Sequence, residues 1–258
     1  MLVSIITVNY NDKLGLERTL KSVQGQTYTN FEHIVIDGGS NDGSKAILEE
    51  NKNQFSYWVS ESDRGIYHAM NKGIIKAKGE YLFFLNSGDD FVENRALQNI
   101  AEALTGEDIV YFNINKIDGS SVNVEKVPSK LSFSYLYHDL PPHQSTFIKR
   151  ELFQDYGYYD ENLKIVSDWK FLIIALLKHN ATYKHVDKVF TNFYLGGISS
   201  NSESMARMDA ERKVVLEQEF PILMNDLKYK YKLERIIRNL RKSKKIQWLV
   251  KLGLIDKF

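Results

Sequence analysis

The chain has 258 residues, 43% apolar and 26% charged, with a formal net charge of +1, which suits one large α/β domain or two small ones. It has no cysteine, which excludes a disulfide framework, a thiolate nucleophile and a Cys-based zinc site. No apolar run approaches the ~20 residues that cross a bilayer, and the short apolar N-terminus lacks the basic segment of a signal peptide; a cytoplasmic location is expected. The net charge hides an asymmetry. Residues 228–258 carry 11 Lys/Arg and 2 Asp/Glu, net +9, which leaves −8 on residues 1–227.

Residues 2–8 form an apolar, β-branched run that predicts a first strand. Asp12 then caps a helix with Leu14, Leu16, Leu20 and Val23 as its apolar positions. A second strand over 31–36 leads into the Gly-rich turn Asp37 to Ser44 and a helix over 45–51. A third strand spans 56–60, and a helix spans 66–78. The run Tyr81 to Leu85 is apolar throughout, which predicts a buried central strand, and it ends on Asn86-Ser87-Gly88-Asp89-Asp90. A helix over 94–104 and a strand over 108–113 follow. Such alternation predicts a mostly parallel, Rossmann-like sheet flanked by helices. The absence of a GxGxxG fingerprint argues against hydride-transferring dinucleotide chemistry.

After residue 115 the texture changes. A polar hairpin over 115–127 turns at Asp118-Gly119-Ser120. Short helices are predicted over 131–140 and 151–157, with a strand over 146–149 between them. An apolar helix spans 168–179, and two strands span 182–186 and 189–194. Gly196-Gly197 opens a loop, and helices over 205–219 and 222–239 complete the chain.

Four polar clusters stand at predicted strand ends or beside them: Thr7 to Asn11, Asp37 to Ser40, Asn86 to Asp90, and the segment around Asp168. In a parallel sheet the first three converge on one rim, where ligands of open α/β folds bind. Paired carboxylates there suit Mg²⁺ or Mn²⁺, which take hard oxygen donors.

The segments VSIITVNYN, VIDGGSNDGS, SDRGIYHAMNKGI, GEYLFFLNSGDDF, PHQSTFIKRELF and YGYYDENLKIVSDWKFL occur in this order. Together, over about residues 1–200, they resemble family-two inverting glycosyltransferases of the GT-A fold, in the bacterial exopolysaccharide and lipopolysaccharide style. The resemblance implies a catalytic domain over 1–200, with a nucleotide-binding half over 1–115 and an acceptor half over 116–200. A basic helical extension occupies 201–258.

By position the resemblance places Thr7, Asn9, Asp37, Arg64, Gly65 and Ser87 around the nucleotide. It places Asp89, with Asp90 as its alternate, on a divalent cation (Mn²⁺ or Mg²⁺), His143 in the acceptor cleft, and Asp168 as general base. Each has a structural alternative: Asp37 and Asp168 as helix caps, Arg64 as a solvated cation, His143 as a buttress. Two positions depart from the family pattern. Gly38 stands where a second Asp is usual, and Asn86 stands at the first acid of the DxD segment. The implied partners are a nucleotide-sugar donor, UDP-sugar favoured, and a saccharide or lipid-linked saccharide acceptor.

The tail mixes Lys/Arg with Ile236, Ile237, Leu240, Trp248, Leu249 and Leu252, which reads either as a helix lying on an anionic membrane surface or as a stripe packed on the domain. With a lipid-linked acceptor, peripheral attachment to the inner face of the cytoplasmic membrane is favoured over nucleic acid. Two other classes are open: a metal-dependent nucleotidyltransferase, and a non-catalytic sugar- or nucleic-acid-binding protein.

Overall fold

The structure is a computed structural model and describes residues 2–196 and 202–256. Gly197 of the expected loop, and the expected boundary at residues 200/201, lie outside the described residues. Tertiary contacts divide the chain into two compact units, Met1–Glu211 and Arg212–Phe258.

The first unit runs β1 (Val3–Asn9), α1 (Lys13–Gln24), β2 (Phe31–Asp37), α2 (Ser44–Glu50), β3 (Tyr57–Ser60), α3 (Ile66–Lys76), β4 (Tyr81–Phe84), β5 (Asp90–Phe91) and α4 (Ala96–Ile100). It continues with β6 (Ile109–Asp118), β7 (Ser121–Glu125), α5 (Phe133–His138), β8 (Thr146–Lys149), α6 (Arg150–Tyr156), α7 (Ser167–Lys178) and β9 (Tyr183–Tyr194). Helix α8 (Ser202–Glu219) holds the division between the units, and α9 (Pro221–Lys242) and α10 (Lys244–Lys251) follow it.

The strands form one sheet in the order β3-β2-β1-β4-β8-β6-β9-β5, with β7 added to β6. From β3 to β4 all neighbours are parallel. Every residue of β1 and β4 is buried, because both faces of the parallel half are covered. That is why these stretches read as unbroken apolar runs and not as an alternation. The second half is mixed: β8 is antiparallel to β4 and β6, whereas β9 is parallel to β6.

One core layer is aromatic, with Phe83 stacked on Phe147 at 4.7 Å and edge-on to Phe190 at 5.3 Å. Helix α3 lies directly on β1. A Cβ at Gly73 would stand 2.5 Å from Ile6 Cγ2, so the close approach requires glycine.

The predicted Asp12 cap forms, its carboxylate accepting from Gly15 N–H at 3.0 Å. Four expectations change. The strand expected over 108–113 continues to Asp118 and turns at Gly119 (φ 57°) straight into β7, so the hairpin is an extension of the central sheet. The strands expected over 182–186 and 189–194 are one strand, β9. Its pairing with β6 shifts register around Asn113, an irregularity that absorbs the polar Asp187-Lys188 step. The helix expected over 94–104 is shortened to α4 and a 3-10 turn. The two-residue β5 was not expected; it exists because Asp90 and Phe91 pair with Asn192 and Thr191 of β9.

His33 of β2 is buried within this sheet. The Thr7 hydroxyl donates to Leu85 O at 2.8 Å, so it accepts from His33 Nε2–H at 3.0 Å. Burial lowers the His33 pKa to about 3, so the folded state holds it neutral while the unfolded chain protonates near 6.5. The unfolded state therefore binds the extra proton between those values, and stability falls as pH drops through that window. The expected slope from this group is about 1.4 kcal/mol per pH unit. Denaturant unfolding of wild type and His33→Gln at several pH values measures it, and the variant's curve should be flatter by that amount.

Candidate active site

The carboxyl ends of β1, β2 and β4 lie side by side, with Asn9 in register with Asp37. Asn9 joins all three. Its Nδ2 donates to Asp37 Oδ1 at 2.6 Å, and its Oδ1 accepts from Ser87 Oγ at 2.8 Å. Asp37 is fully buried and also accepts from Ser40 Oγ at 2.5 Å, Ser40 N–H at 3.0 Å and Ser60 Oγ at 2.6 Å. Both of its oxygens are thus occupied by the protein. Thr7 is fully buried and bonded to Leu85 O and His33; it braces the sheet and does not line the pocket expected of it.

The segment 86–90 leaves β4 as a tight turn latched from α1. Thr19 Oγ1 donates to Asp89 O at 2.7 Å and accepts from Gly88 N–H at 3.1 Å. Arg18 donates to Gly88 O at 2.9 Å and its guanidinium lies 4.0 Å over the Tyr194 ring. Beyond the turn, the two carboxylates part. Asp90 belongs to β5, where it accepts from Asn192 Nδ2 at 2.6 Å and the Tyr194 hydroxyl at 3.3 Å. Asp89 is 5% exposed. Burial pushes its carboxyl up to about 7, against the opposing pull of His143 and a hydrogen bond from Gln144.

His143 stands in the 3-10 turn before β8. Asn86 Nδ2 lies 3.2 Å from its Nε2, and its Nδ1 lies 3.4 Å from Asp168 Oδ2. Nδ1 is the ring nitrogen that faces the Asp168 carboxylate. Asp168, in the first turn of α7, also has the Tyr67 hydroxyl at 2.9 Å from Oδ1, a donor it shares with Ile165 O at 2.5 Å. Burial raises the Asp168 carboxyl, but the hydrogen bond and charge of His143, and the Tyr67 hydrogen bond, outweigh it. The net pKa is lower than that of an ordinary Asp. Tyr67 is driven the other way, first by burial and then by the charge of Asp168, and so remains a donor.

The sequence-predicted residues therefore fall into one row along the rim: Asp37, Asn9, Ser87, then Asn86, His143 and Asp168, with Asp89 beside His143. Arg64 stands apart from it; its side chain is 71% exposed and bonded to Glu161 at 2.5 Å. Gly65 adopts φ 139°, a backbone region that favours glycine, at the start of α3. Sequence reasoning missed Tyr67. Its one signal was an aromatic second residue in a helix whose inward positions are otherwise aliphatic or small.

The donors on the rim fit a divalent cation in part. Asn86 Oδ1 is buried with no hydrogen-bond partner, and the Asp89 carboxyl stands in the same turn. Among the described residues no group of three or more His, Asp or Glu could hold a metal ion. Two oxygens suit a cation whose remaining positions come from a ligand's phosphates and water, and do not suit a closed protein cage.

Residues 4–161 match the family described as glycosyl transferase family 2. The chain belongs to that family. It is accordingly a glycosyltransferase. An uncharacterized glycosyltransferase of Mycobacterium tuberculosis is 36% identical over 225 residues, which cover 85% of each chain. A PGL/p-HBAD biosynthesis glycosyltransferase of Mycobacterium bovis is 28% identical, over 77% of this chain and 79% of the relative.

Among solved structures, S. aureus TarS 1-349 in complex with UDP-GlcNAc superposes with a TM-score of 0.65 at 21% identity, covering 84% of this chain and 71% of that one. The mannosyltransferase PcManGT from Pyrobaculum calidifontis in complex with GDP-Man and Mn²⁺ gives 0.60 at 18%, covering 77% and 58%. At these identities the likeness is one of fold: a mixed α/β GT-A architecture.

Loss of the Asn9 side chain should show how much the rim depends on it. In Asn9→Ala, Asp37 Oδ1 and Ser87 Oγ each lose a partner. Truncation that leaves a buried group unpaired costs about 1–3 kcal/mol, to be read from urea unfolding midpoints at constant m-value.

Proposed function

We propose that this glycosyltransferase moves a sugar from a nucleoside-diphosphate sugar, a UDP-sugar by preference, to a saccharide acceptor, with inversion at the anomeric carbon. The observation that carries the reading is the row from Asp37 to Asp168, which spans three parallel strand ends, the 86–90 turn and the start of α7. Its β1–β2 end suits the nucleotide and its α7 end the acceptor.

In this reading Asp168 is the general base. It takes the proton from an acceptor hydroxyl as that oxygen attacks the anomeric carbon, and the bond to the diphosphate breaks with its electron pair leaving on the nucleotide. Its lowered pKa keeps it deprotonated at neutral pH, and the first turn of α7 favours its negative charge. Tyr67 and His143 hold the carboxylate in place, and His143 borders the acceptor. Asn9 and Ser87 set the nucleotide side of the rim. Asp89 and Asn86 would hold a divalent cation together with the diphosphate; such a cation offsets charge on a leaving group. The protein groups around Asp90 give it a structural role in β5, so Asp89 is the preferred carboxylate. Gly65 lets the chain pass close to the diphosphate, and Arg64 reaches it only by releasing Glu161.

The acceptor we propose is lipid-linked, as in cell-surface polysaccharide assembly, with the second unit resting on the cytoplasmic membrane surface. No helix among the described residues is long and apolar enough to cross a membrane. Within the second unit, Leu233, Ile236, Ile237 and Leu240 follow helical spacing on α9 and are exposed. So are Trp248, Leu252 and Leu254 further on. Lys and Arg interleave with them, the pattern of an interfacial helix.

Two measurements test these readings. Asp168→Asn should lower turnover of a UDP-sugar, assayed with Mn²⁺, by about 10²–10⁴-fold while its affinity for UDP stays within about twofold of wild type; near-normal turnover would remove Asp168 as the base. Sedimentation with vesicles containing anionic phospholipid should capture the full chain and lose it when residues 228–258 are deleted, and equal capture of both would discard the membrane role.

A further inference from the structure

Asp37 was expected beside the nucleotide, yet its oxygens accept four hydrogen bonds from the protein. A nucleobase at this end of the rim needs another acceptor. Position 38, where the family carries a second acid, is glycine. The space a side chain would fill there is bordered by the Tyr10 ring, whose Cδ2 lies 3.1 Å from where a Cβ would be, by Asp63 Oδ2 at 3.5 Å and by Asn9 O at 3.6 Å.

Asp63 is unusual among the acids of the molecule. Its side chain is only 7% exposed. Oδ1 is ion-paired, with Lys72 Nζ at 2.6 Å and His68 Nδ1 at 2.9 Å. Oδ2 is buried and has no hydrogen-bond partner. A buried oxygen left unbonded costs free energy that a structure normally recovers through a donor. Tyr10, whose ring borders the same space, is 68% exposed.

We infer that Asp63 is the nucleobase-selecting residue of this chain, accepting a hydrogen bond from the base edge through Oδ2 over Gly38. The inference rests on the nucleotide-sugar reading above and names the base. Because Lys72 holds Oδ1, a single acceptor is free, and an ionised carboxylate offers no donor. Uracil meets it with one N3–H. Cytosine has a bare acceptor at N3 and is repelled. The arrangement therefore favours a uridine over a cytidine nucleotide, whose N3 turns a lone pair toward that oxygen.

The experiment is calorimetric titration of the full chain with UDP and with CDP, in wild type, Asp63→Asn and Asp63→Ala. Wild type should prefer UDP. Asp63→Asn, which keeps the shape of the side chain and gains an N–H donor, should weaken UDP by about 10- to 100-fold and narrow or reverse its preference over CDP. Asp63→Ala should lose the preference without gaining CDP.

A purely structural Asp63 would weaken both nucleotides alike or neither, and that result overturns the inference. Melting temperatures of the three proteins show whether the variants are folded. Should Asp63→Asn not fold, Tyr10→Ala, at an exposed position, supplies the second reading: widening the space that Tyr10 and Asp63 Oδ2 share over Gly38 should change UDP affinity and leave CDP affinity unmoved, and equal effects on both count against the assignment. Wild type that binds neither nucleotide refutes the donor reading itself, whereas wild type that binds UDP with no dependence on Asp63 refutes only this inference.

Discussion

The hydrogen bonds of one amide, that of Asn9, set the geometry on which the rest of the site depends. Adjacent strands of a parallel sheet run about 4.8 Å apart, close enough for one short side chain to touch the ends of both neighbours. The amide, with both a donor and an acceptor, ties Asp37 on one side to the Ser87 hydroxyl on the other. An Asp at position 9 would set carboxylate against carboxylate; an apolar residue would leave both partners unpaired. With the three ends fixed, the turn after β4 starts from a defined point, and Thr19 and Arg18 hold it against α1. The placement of Asn86 and Asp89 is thus inherited from the order of strands, not from the turn alone.

The parallel half of the sheet was legible because burial on both faces writes itself into sequence. Residues 3–9 and 81–84 can only be central strands. The other half was harder to read. β5 has two residues and no pattern of its own; it is a strand only because β9 offers a partner. β9 reads as two strands because Asp187 and Lys188 interrupt its apolar residues, and nothing local shows that pairing with β6 carries through them.

The site divides in a similar way. Asn9, Asp37, Ser87, His143 and Asp168 stand on one rim, as their positions at strand and helix ends implied. What each of them does depends on partners far away in the chain. Asp37 looks like a ligand from its neighbours, but Asn9, Ser40 and Ser60 use up its lone pairs. Asp63 sits in a polar stretch, SESDR, that offers no pattern to separate a buried acid from a solvated one. Tyr67 meets Asp168 across a separation of 101 residues. Saturation of a hydrogen-bonding group is a tertiary property, and a single sequence does not contain it.

The missing side chain at residue 73 has an effect well beyond the spot where α3 touches Ile6. That helix presents Tyr67 to Asp168, Asn71 to the Tyr159 backbone and Glu161, and Lys72 to Asp63. Even one methyl group at 73 would wedge the rod off the sheet, and all of these alignments would drift together because a helix moves as a stiff body. The settings of Asp63 at one end of this helix's contacts and of Asp168 at the other are therefore calibrated by a single point of bare backbone.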